Sequence, residues 1–113
     1  MCIRDSTYTA EPKLLSSFPL DASVRDEVMA GMRAAVTESA GVSRYMAGLP
    51  FAVAGKTGTA QTGARTDNGL FVCCAPASDP GIAVATVIEK AGGGSYAALS
   101  AARILEAYAN KRE

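Results

Sequence analysis

The chain has 113 residues, of which 49% are hydrophobic, so it can build the core of one small domain and is not expected to be disordered. Eleven basic and eleven acidic side chains cancel, and no apolar run approaches the ~20 residues that span a bilayer, so neither a nucleic-acid partner nor a membrane span is expected. The chain has no histidine, which excludes the imidazole base of Ser-His-Asp catalysis, and we expect no metal and no other cofactor.

The N-terminal residues are predicted to be a lead-in segment, residues 1–22, before the folded part, residues 23–113. Residues 1–6 differ in character from the rest and resemble translated adapter sequence, so they are expected to be non-native. Pro12 and Pro19 interrupt regular structure in the remainder of the segment. We therefore expect an extended lead-in.

The first helix is predicted over residues 24–39. Ser23 followed by Asp26 matches a helix-capping pattern, and Gly41 is expected to end the helix. Apolar residues at helical spacing predict one buried face. Its members are Val24, Val28, Met32, Ala35 and Val36.

Three strands are predicted after a break at Gly48 and Pro50. A polar loop and the turn-rich residues 76–81 connect them, so neighbouring strands are expected to be antiparallel. The third strand is almost continuously apolar, which predicts burial on both faces. The predicted strands are residues 51–61, 69–75 and 82–89.

A last helix is predicted over residues 96–110, after three glycines that end the third strand and with Ser95 as its cap. The predicted fold is α+β, with a helix, a three-stranded antiparallel meander and a C-terminal helix. Small side chains on one face would let the last helix lie close to the sheet. That face comprises Ala97, Ala101, Ile104, Leu105 and Tyr108.

The three cysteines are Cys2, Cys73 and Cys74. Adjacent side chains on a strand point to opposite faces, so Cys73 and Cys74 cannot easily act together. We interpret them as small apolar side chains of a buried strand, without a redox or metal-binding role.

The first predicted strand carries a cluster of polar residues near its end. Lys56 supplies a positive charge, and Thr57 and Thr59 supply hydroxyl donors. Gly58 lacks a β-carbon, so a substrate backbone could approach closely there. Because an edge strand can pair with an extended peptide, these four residues are predicted to bind a peptide that ends in a carboxylate.

A phosphate-binding loop is the competing interpretation, since Gly55, Lys56 and Thr57 match the end of its motif. That motif needs a glycine five residues before Gly55 and a helix after the threonine. Position 50 is Pro50, and Gly58 leads into a polar loop. The phosphate-loop interpretation is therefore rejected.

The string Ala-Gly-Lys-Thr-Gly-Thr-Ala-Gln at residues 54–61 closely resembles the third active-site motif of the penicillin-binding transpeptidases, whose other motifs are Ser-x-x-Lys and Ser-x-Asn. Residues 67–76 and 82–108 are similar to the strands and the closing helix that follow this motif in the family. The chain thus resembles the C-terminal part of a class B penicillin-binding protein. The resemblance implies part of the serine β-lactamase/transpeptidase-like fold.

The resemblance implies a D,D-transpeptidase that cross-links peptidoglycan stem peptides ending in D-Ala-D-Ala and binds β-lactams. Lys56 would support the electrostatics and the proton relay, and Thr57 and Thr59 would bind the substrate carboxylate. The backbone N–H of Thr59 would be one oxyanion donor. No serine in the chain has a lysine three residues later, so the isolated chain is expected to be an inactive fragment.

The family also implies a location and partners. Its members are anchored in the cell membrane with the catalytic domain on the extracytoplasmic side, and they work with other cell-wall synthesis proteins. Nothing in this chain is a targeting signal. Without the rest of the family's sheet, the third strand would have an exposed apolar edge, so the fragment is expected to self-associate.

Two other interpretations stay open. The chain could be a fragment of a serine β-lactamase or of a β-lactam sensor domain, both of which share Lys-Thr-Gly. It could also be a non-catalytic module that binds cell-wall peptides or partners.

Tyr108 and Asn110 resemble the Tyr-x-Asn variant of the second motif. They follow Lys-Thr-Gly, whereas the family order places that motif before it, so we interpret this match as coincidence.

Overall fold

The computed structural model describes residues 9–63 and 65–112. In these residues three helices and one three-stranded antiparallel sheet form an α+β fold, which confirms the predicted class. The predictions for residues 1–6, for Cys2 and for Ala64 in the polar loop lie outside the described residues. The elements are α1 (Ala22–Thr37), α2 (Ala40–Met46), β1 (Ala54–Ala60), β2 (Asn68–Ala75), β3 (Ile82–Ile88) and α3 (Ser95–Arg112).

The sheet has the order β1-β2-β3, and every pairing is antiparallel. At its centre Phe71 of β2 lies opposite Thr57 of β1 and Thr86 of β3. Phe71 is buried and belongs to a core that also contains Val42 of α2 and Leu105 of α3. The strands lie within one residue of their predicted bounds, except that the first begins at Ala54 instead of residue 51.

Helix α1 differs from the prediction at its start and along its buried face. It begins at Ala22 without a side-chain cap, so the predicted Ser23 cap is wrong. Val36 near the C-terminal end is buried with residues of α2 and β2, whereas Val24 is 47% exposed and Val28 is 57% exposed. The helix therefore meets the core only at its C-terminal end, and the predicted burial of Val24 and Val28 is wrong.

The prediction that Gly41 ends the first helix is also wrong. The Thr37 hydroxyl donates a hydrogen bond to the Arg33 carbonyl oxygen (3.1 Å) in the last turn of α1, and Ser39 then adopts an extended backbone. Gly41 lies inside the short helix α2, where an added β-carbon would lie 2.7 Å from Ser95 Oγ. This glycine permits the close approach of α2 to the start of α3.

Strand β3 is not buried on both faces within the described part of the chain, so that prediction is wrong. Val84 is buried beneath α3, but Ala83 and Ala85 are exposed and Val87 is 61% exposed. The apolar run combines small and β-branched residues, a composition that suits a strand with one covered face.

Helix α3 packs on β2 and β3 through a face rich in alanine. It begins at Ser95, and Gly94 O accepts the first helical hydrogen bond from Ala98 N (3.0 Å), so the predicted Ser95 cap is wrong by one residue. Ile104 is 45% exposed, contrary to prediction. No helix within residues 9–63 and 65–112 is long and apolar enough to cross a bilayer. The buried residues of α3 are Ala97, Ala98, Ala101, Ala102 and Leu105.

Candidate functional site

The four predicted site residues all lie on β1, which is an edge strand in the described part of the sheet. In the pairing with β2, Lys56 lies opposite Val72 and Gly58 lies opposite Leu70. An edge strand presents backbone N–H and C=O groups that its own sheet does not use. The strand can therefore offer an extended ligand both main-chain partners and side chains.

The site residues share one strand but are divided between its two faces. Strand alternation places Lys56 and Gly58 on one face, and Thr57 and Thr59 on the face that also carries Phe71. Lys56 and Thr59 are exposed, whereas Thr57 and Gly58 are half-buried. The positive charge and the hydroxyl groups thus flank the strand edge from opposite sides.

The Lys56 ammonium group is held close to the strand. Its Nζ donates a hydrogen bond to the Thr57 carbonyl oxygen at 2.9 Å. An ammonium group has three donors, so it can bind an anion while it keeps this bond. Chemically the arrangement can hold a carboxylate or a developing negative charge next to the β1 backbone.

The glycine that packing requires in this motif is Gly55, which was considered from the sequence only for the rejected phosphate-loop match. A β-carbon on Gly55 would lie 2.7 Å from Phe71 Cζ and 2.8 Å from Val72 O. A β-carbon on Gly58 would make an ordinary contact of 3.5 Å with Leu70 Cβ. The sequence signal for Gly55 was its place directly before the lysine, but nothing local indicated the aromatic ring beside it.

A second missed residue is Gly94, in the turn between β3 and α3. A β-carbon there would lie 2.8 Å from Thr57 Cβ and 2.6 Å from Leu70 O. The sequence signal was the run of three glycines, which predicted only the end of a strand. The turn therefore contacts the candidate site directly.

The two cysteines of β2 point to opposite faces, as predicted. Cys73 is buried, and its burial, together with the neighbouring Cys74, raises the pKa of the Cys73 thiol to about 11. Because the thiolate is the reactive form, Cys73 is inert at neutral pH. No group of three or more His, Cys, Asp or Glu in residues 9–63 and 65–112 is placed to hold a metal ion.

Tyr108 lies at the opposite end of the sheet from Thr59. Its ring makes an edge contact with Phe51 (6.5 Å between centroids), and its hydroxyl lies beside Gly81, the residue before β3. Thr59, in contrast, pairs with Gly69 at the start of β2. This placement supports the interpretation of the Tyr-x-Asn match as coincidence.

Comparison with known proteins identifies the class to which this fold and strand belong. Residues 2–108 match the family described as the penicillin binding protein transpeptidase domain. The chain belongs to this family. The predicted resemblance is thereby confirmed at the level of the transpeptidase domain.

Three relatives illustrate the match. The chain is 32% identical over 90 residues to penicillin-binding protein 2A of Bacillus subtilis (strain 168), covering 71% of this chain and 12% of that protein. It is 33% identical to Pseudomonas aeruginosa PBP2 in complex with WCK 5153, with a TM-score of 0.76 over 92% of this chain and 24% of that one. It is 26% identical to the imipenem acyl-enzyme complex of M. tuberculosis penicillin-binding protein A, with a TM-score of 0.68 over 79% of this chain and 20% of that one.

The chain thus spans about an eighth of the curated relative and about a quarter or less of the solved chains. The similarity covers the sheet and the helices of this chain.

Proposed function

We propose that this chain supplies the substrate-binding strand of a D,D-transpeptidase, the enzyme that cross-links peptidoglycan stem peptides ending in D-Ala-D-Ala. One observation carries the proposal: in a member of this family, Lys56 and Thr59 are exposed on an edge strand with Thr57 and Gly58 between them. An extended stem peptide, or the β-lactam that mimics it, would lie along this strand edge.

Each of the four residues has a proposed role. Lys56 would stabilise negative charge and take part in the proton relay. The hydroxyl groups of Thr57 and Thr59 would donate hydrogen bonds to the terminal carboxylate of the ligand. The backbone N–H of Thr59 would donate a hydrogen bond to the oxyanion of the tetrahedral intermediate. Loss of one such donor raises the activation free energy by about 3 kcal/mol. Gly58 would leave room for the ligand backbone.

The covalent step requires a serine from a Ser-x-x-Lys motif. Its oxygen would form an ester with the penultimate D-Ala carbonyl carbon, and the terminal D-Ala would leave as the free amine. An amine of a neighbouring stem peptide would then attack the ester and release the serine. Because these 113 residues contain no Ser-x-x-Lys, we propose that the chain alone forms no acyl-enzyme. The imipenem acyl-enzyme of the M. tuberculosis relative supports the reaction with β-lactams for a complete domain.

We propose a location and partners on the same basis. The complete enzyme would be anchored in the cell membrane, with this domain on the extracytoplasmic side, where its peptidoglycan substrate is cross-linked. Other cell-wall synthesis proteins would be its partners. A nucleic-acid partner is not proposed, since the formal net charge is zero.

The first test is to sequence the genomic DNA upstream of Met1 and to express the longer frame. We expect Ser-x-x-Lys and then Ser-x-Asn upstream. A fluorescent penicillin should label the longer product covalently but leave the 113-residue chain unlabelled. Lys56→Ala should slow labelling about a hundredfold or more, whereas Lys111→Ala, an exposed lysine in the last turn of α3, should leave it unchanged.

The same test decides between the alternatives. Labelling of the 113-residue chain itself would show that its proposed inactivity is wrong. A label that hydrolyses rapidly, with an upstream catalytic glutamate, would indicate a serine β-lactamase. A genuine start at Met1 with no motifs upstream and a monodisperse product would indicate a non-catalytic binding module.

A further inference from the structure

The turn between β3 and α3 contains Gly92–Gly94, called the glycine turn below. Two hydrogen bonds tie the glycine turn and the residues just before it to the start of β2: Gly92 N donates to Asp67 O (2.9 Å), and Lys90 N donates to Asn68 Oδ1 (3.0 Å). Gly92 has φ +75°, a conformation that suits glycine. The turn is therefore held against the loop that follows the candidate site.

The last residue of the glycine turn, Gly94, touches the site itself. A β-carbon on Gly94 would lie 2.6 Å from Leu70 O, 2.8 Å from Thr57 Cβ and 3.1 Å from Gly58 O. These are backbone atoms and a β-carbon, which cannot rotate away as the end of a flexible side chain could. Any side chain at position 94 must therefore displace the turn, β2 at Leu70, or the β1 segment at Thr57 and Gly58.

The turn has little freedom to move away. On its C-terminal side Gly94 O accepts the hydrogen bond from Ala98 N that starts α3, and both Ala97 and Ala98 are buried in the core. On its other side it is fixed to Asp67 and Asn68. Strand β2 is paired on both sides, whereas β1 has a sheet neighbour on one side only in the described residues. A displacement would consequently fall largely on β1.

We infer that Gly94 is a positioning residue for Thr57 and Gly58, and that its missing side chain sets where the Thr57 hydroxyl meets a ligand carboxylate. This inference rests on the proposed role of the β1 strand. Binding sites tolerate misplacement of only about 0.5 Å, and about 1 Å can reduce activity roughly a hundredfold. Substitution of Gly94 would therefore weaken recognition of stem peptides and β-lactams without touching the reacting atoms.

The test compares two neighbouring substitutions in the isotopically labelled 113-residue chain. Gly94→Ala introduces the clash, while Gly93→Ala is the matched control, because a β-carbon on Gly93 would meet nothing within 4 Å. NMR would follow Thr57, Gly58 and the distant core residue Leu105 during titration with N-acetyl-D-Ala-D-Ala. We expect the dipeptide to shift the Thr57 resonances with equal Kd in the wild-type chain and in Gly93→Ala. In Gly94→Ala we expect a Kd at least about tenfold higher.

The free chains provide a readout that does not depend on the ligand. We expect Gly94→Ala to shift the Thr57 and Gly58 resonances while those of Leu105 stay in place. Unchanged Thr57 and Gly58 resonances, or an unchanged Kd, would overturn the inference. If the wild-type chain does not bind the dipeptide, β1 does not hold this ligand without the rest of the enzyme, and the free-chain resonances decide the role of Gly94. If Gly94→Ala does not fold, the wild-type chain still tests the contact: nuclear Overhauser effects between the Gly94 α-protons and the Thr57 β-proton are expected, and their absence would overturn the inference.

Discussion

The ring of Phe71 lies against the α-carbon of Gly55 and leaves no space for a side chain directly before Lys56. An alanine there would meet Phe71 Cζ and Val72 O, so β1 would have to move off β2. We expect Gly55→Ala to lower the free energy of unfolding by about 1–3 kcal/mol. Urea denaturation followed by circular dichroism measures this change.

The control for Gly55→Ala is Gly31→Ala. Gly31 lies inside α1, and a β-carbon there would meet nothing within 4 Å. Alanine is favoured over glycine in a helix, so this variant should be more stable by roughly 0.5–1 kcal/mol. Equal effects of the two substitutions would show that the contact with Phe71 carries no energetic weight.

Leu105 anchors α3 in the core, whereas its neighbour Ile104 is 45% exposed. Leu105→Ala should leave a cavity and lower the free energy of unfolding by about 2–5 kcal/mol. Ile104→Ala removes a similar number of atoms from the surface and should change it by less than about 1 kcal/mol. Thermal denaturation of both variants tests the assignment of the buried face, and a larger loss from Ile104→Ala would contradict it.

The Thr86 hydroxyl links the sheet to α3. It donates to Ala97 O at 2.8 Å and lies 3.3 Å from Phe71 O in a second, longer contact. Thr86→Val keeps the shape but loses the donor, so we expect it to lower the free energy of unfolding by about 1 kcal/mol. Thr86→Ser keeps the hydroxyl and should lose less. If the valine variant is the more stable of the two, the hydroxyl contributes nothing.

The pKa of Cys73 makes stability depend on pH in the alkaline range. Burial raises the pKa of this thiol from 9.0 to about 11 in the folded chain. Between these values the unfolded chain releases the proton and the folded chain retains it. The free energy of unfolding must therefore fall as the pH rises, by at most about 1.4 kcal/mol per pH unit, while below pH 9 this group has no effect.

Comparison with Cys73→Ala isolates the contribution of the thiol, because the two chains differ only in this side chain. The stability difference between the wild-type chain and Cys73→Ala should be constant from pH 7 to pH 9 and should shrink toward pH 11. Denaturant titrations at each pH measure it. A difference that is constant up to pH 11 would mean that the folded thiol ionises normally.

The outer edge of β3 is unpaired in the described part of the sheet, and Val87 beside it is 61% exposed. The strand contains neither charge nor proline, the features that usually protect an edge from pairing with another chain. We expect the 113-residue chain to self-associate with increasing concentration in sedimentation velocity experiments. Val87→Lys should reduce the association, whereas Val24→Lys on α1 should not. A chain that sediments as a monomer at all concentrations would contradict this expectation.

The sequence by itself determined the order of the main elements and the strand that carries Lys56, Thr57, Gly58 and Thr59. These features depend on local signals: hydrophobic period, turn residues and glycine runs act over a few neighbouring positions. The motif string at residues 54–61 was also sufficient to indicate the transpeptidase family, because that match depends only on the order of the residues. Helix α2 was not predicted, because Gly41 was interpreted as the end of the first helix. In the structure Gly41 lies within α2 and permits its close approach to the start of α3.

Only the tertiary structure decided which glycines the site depends on. Gly55 is required by the ring of Phe71 and Gly94 by its approach to Thr57, contacts between residues that are distant in the chain. Such contacts follow from strand register and from the docking of α3 on the sheet, which no local pattern encodes. The tertiary structure also decided which face of β3 is exposed. A continuous apolar run does not indicate whether other elements cover one face of the strand or both.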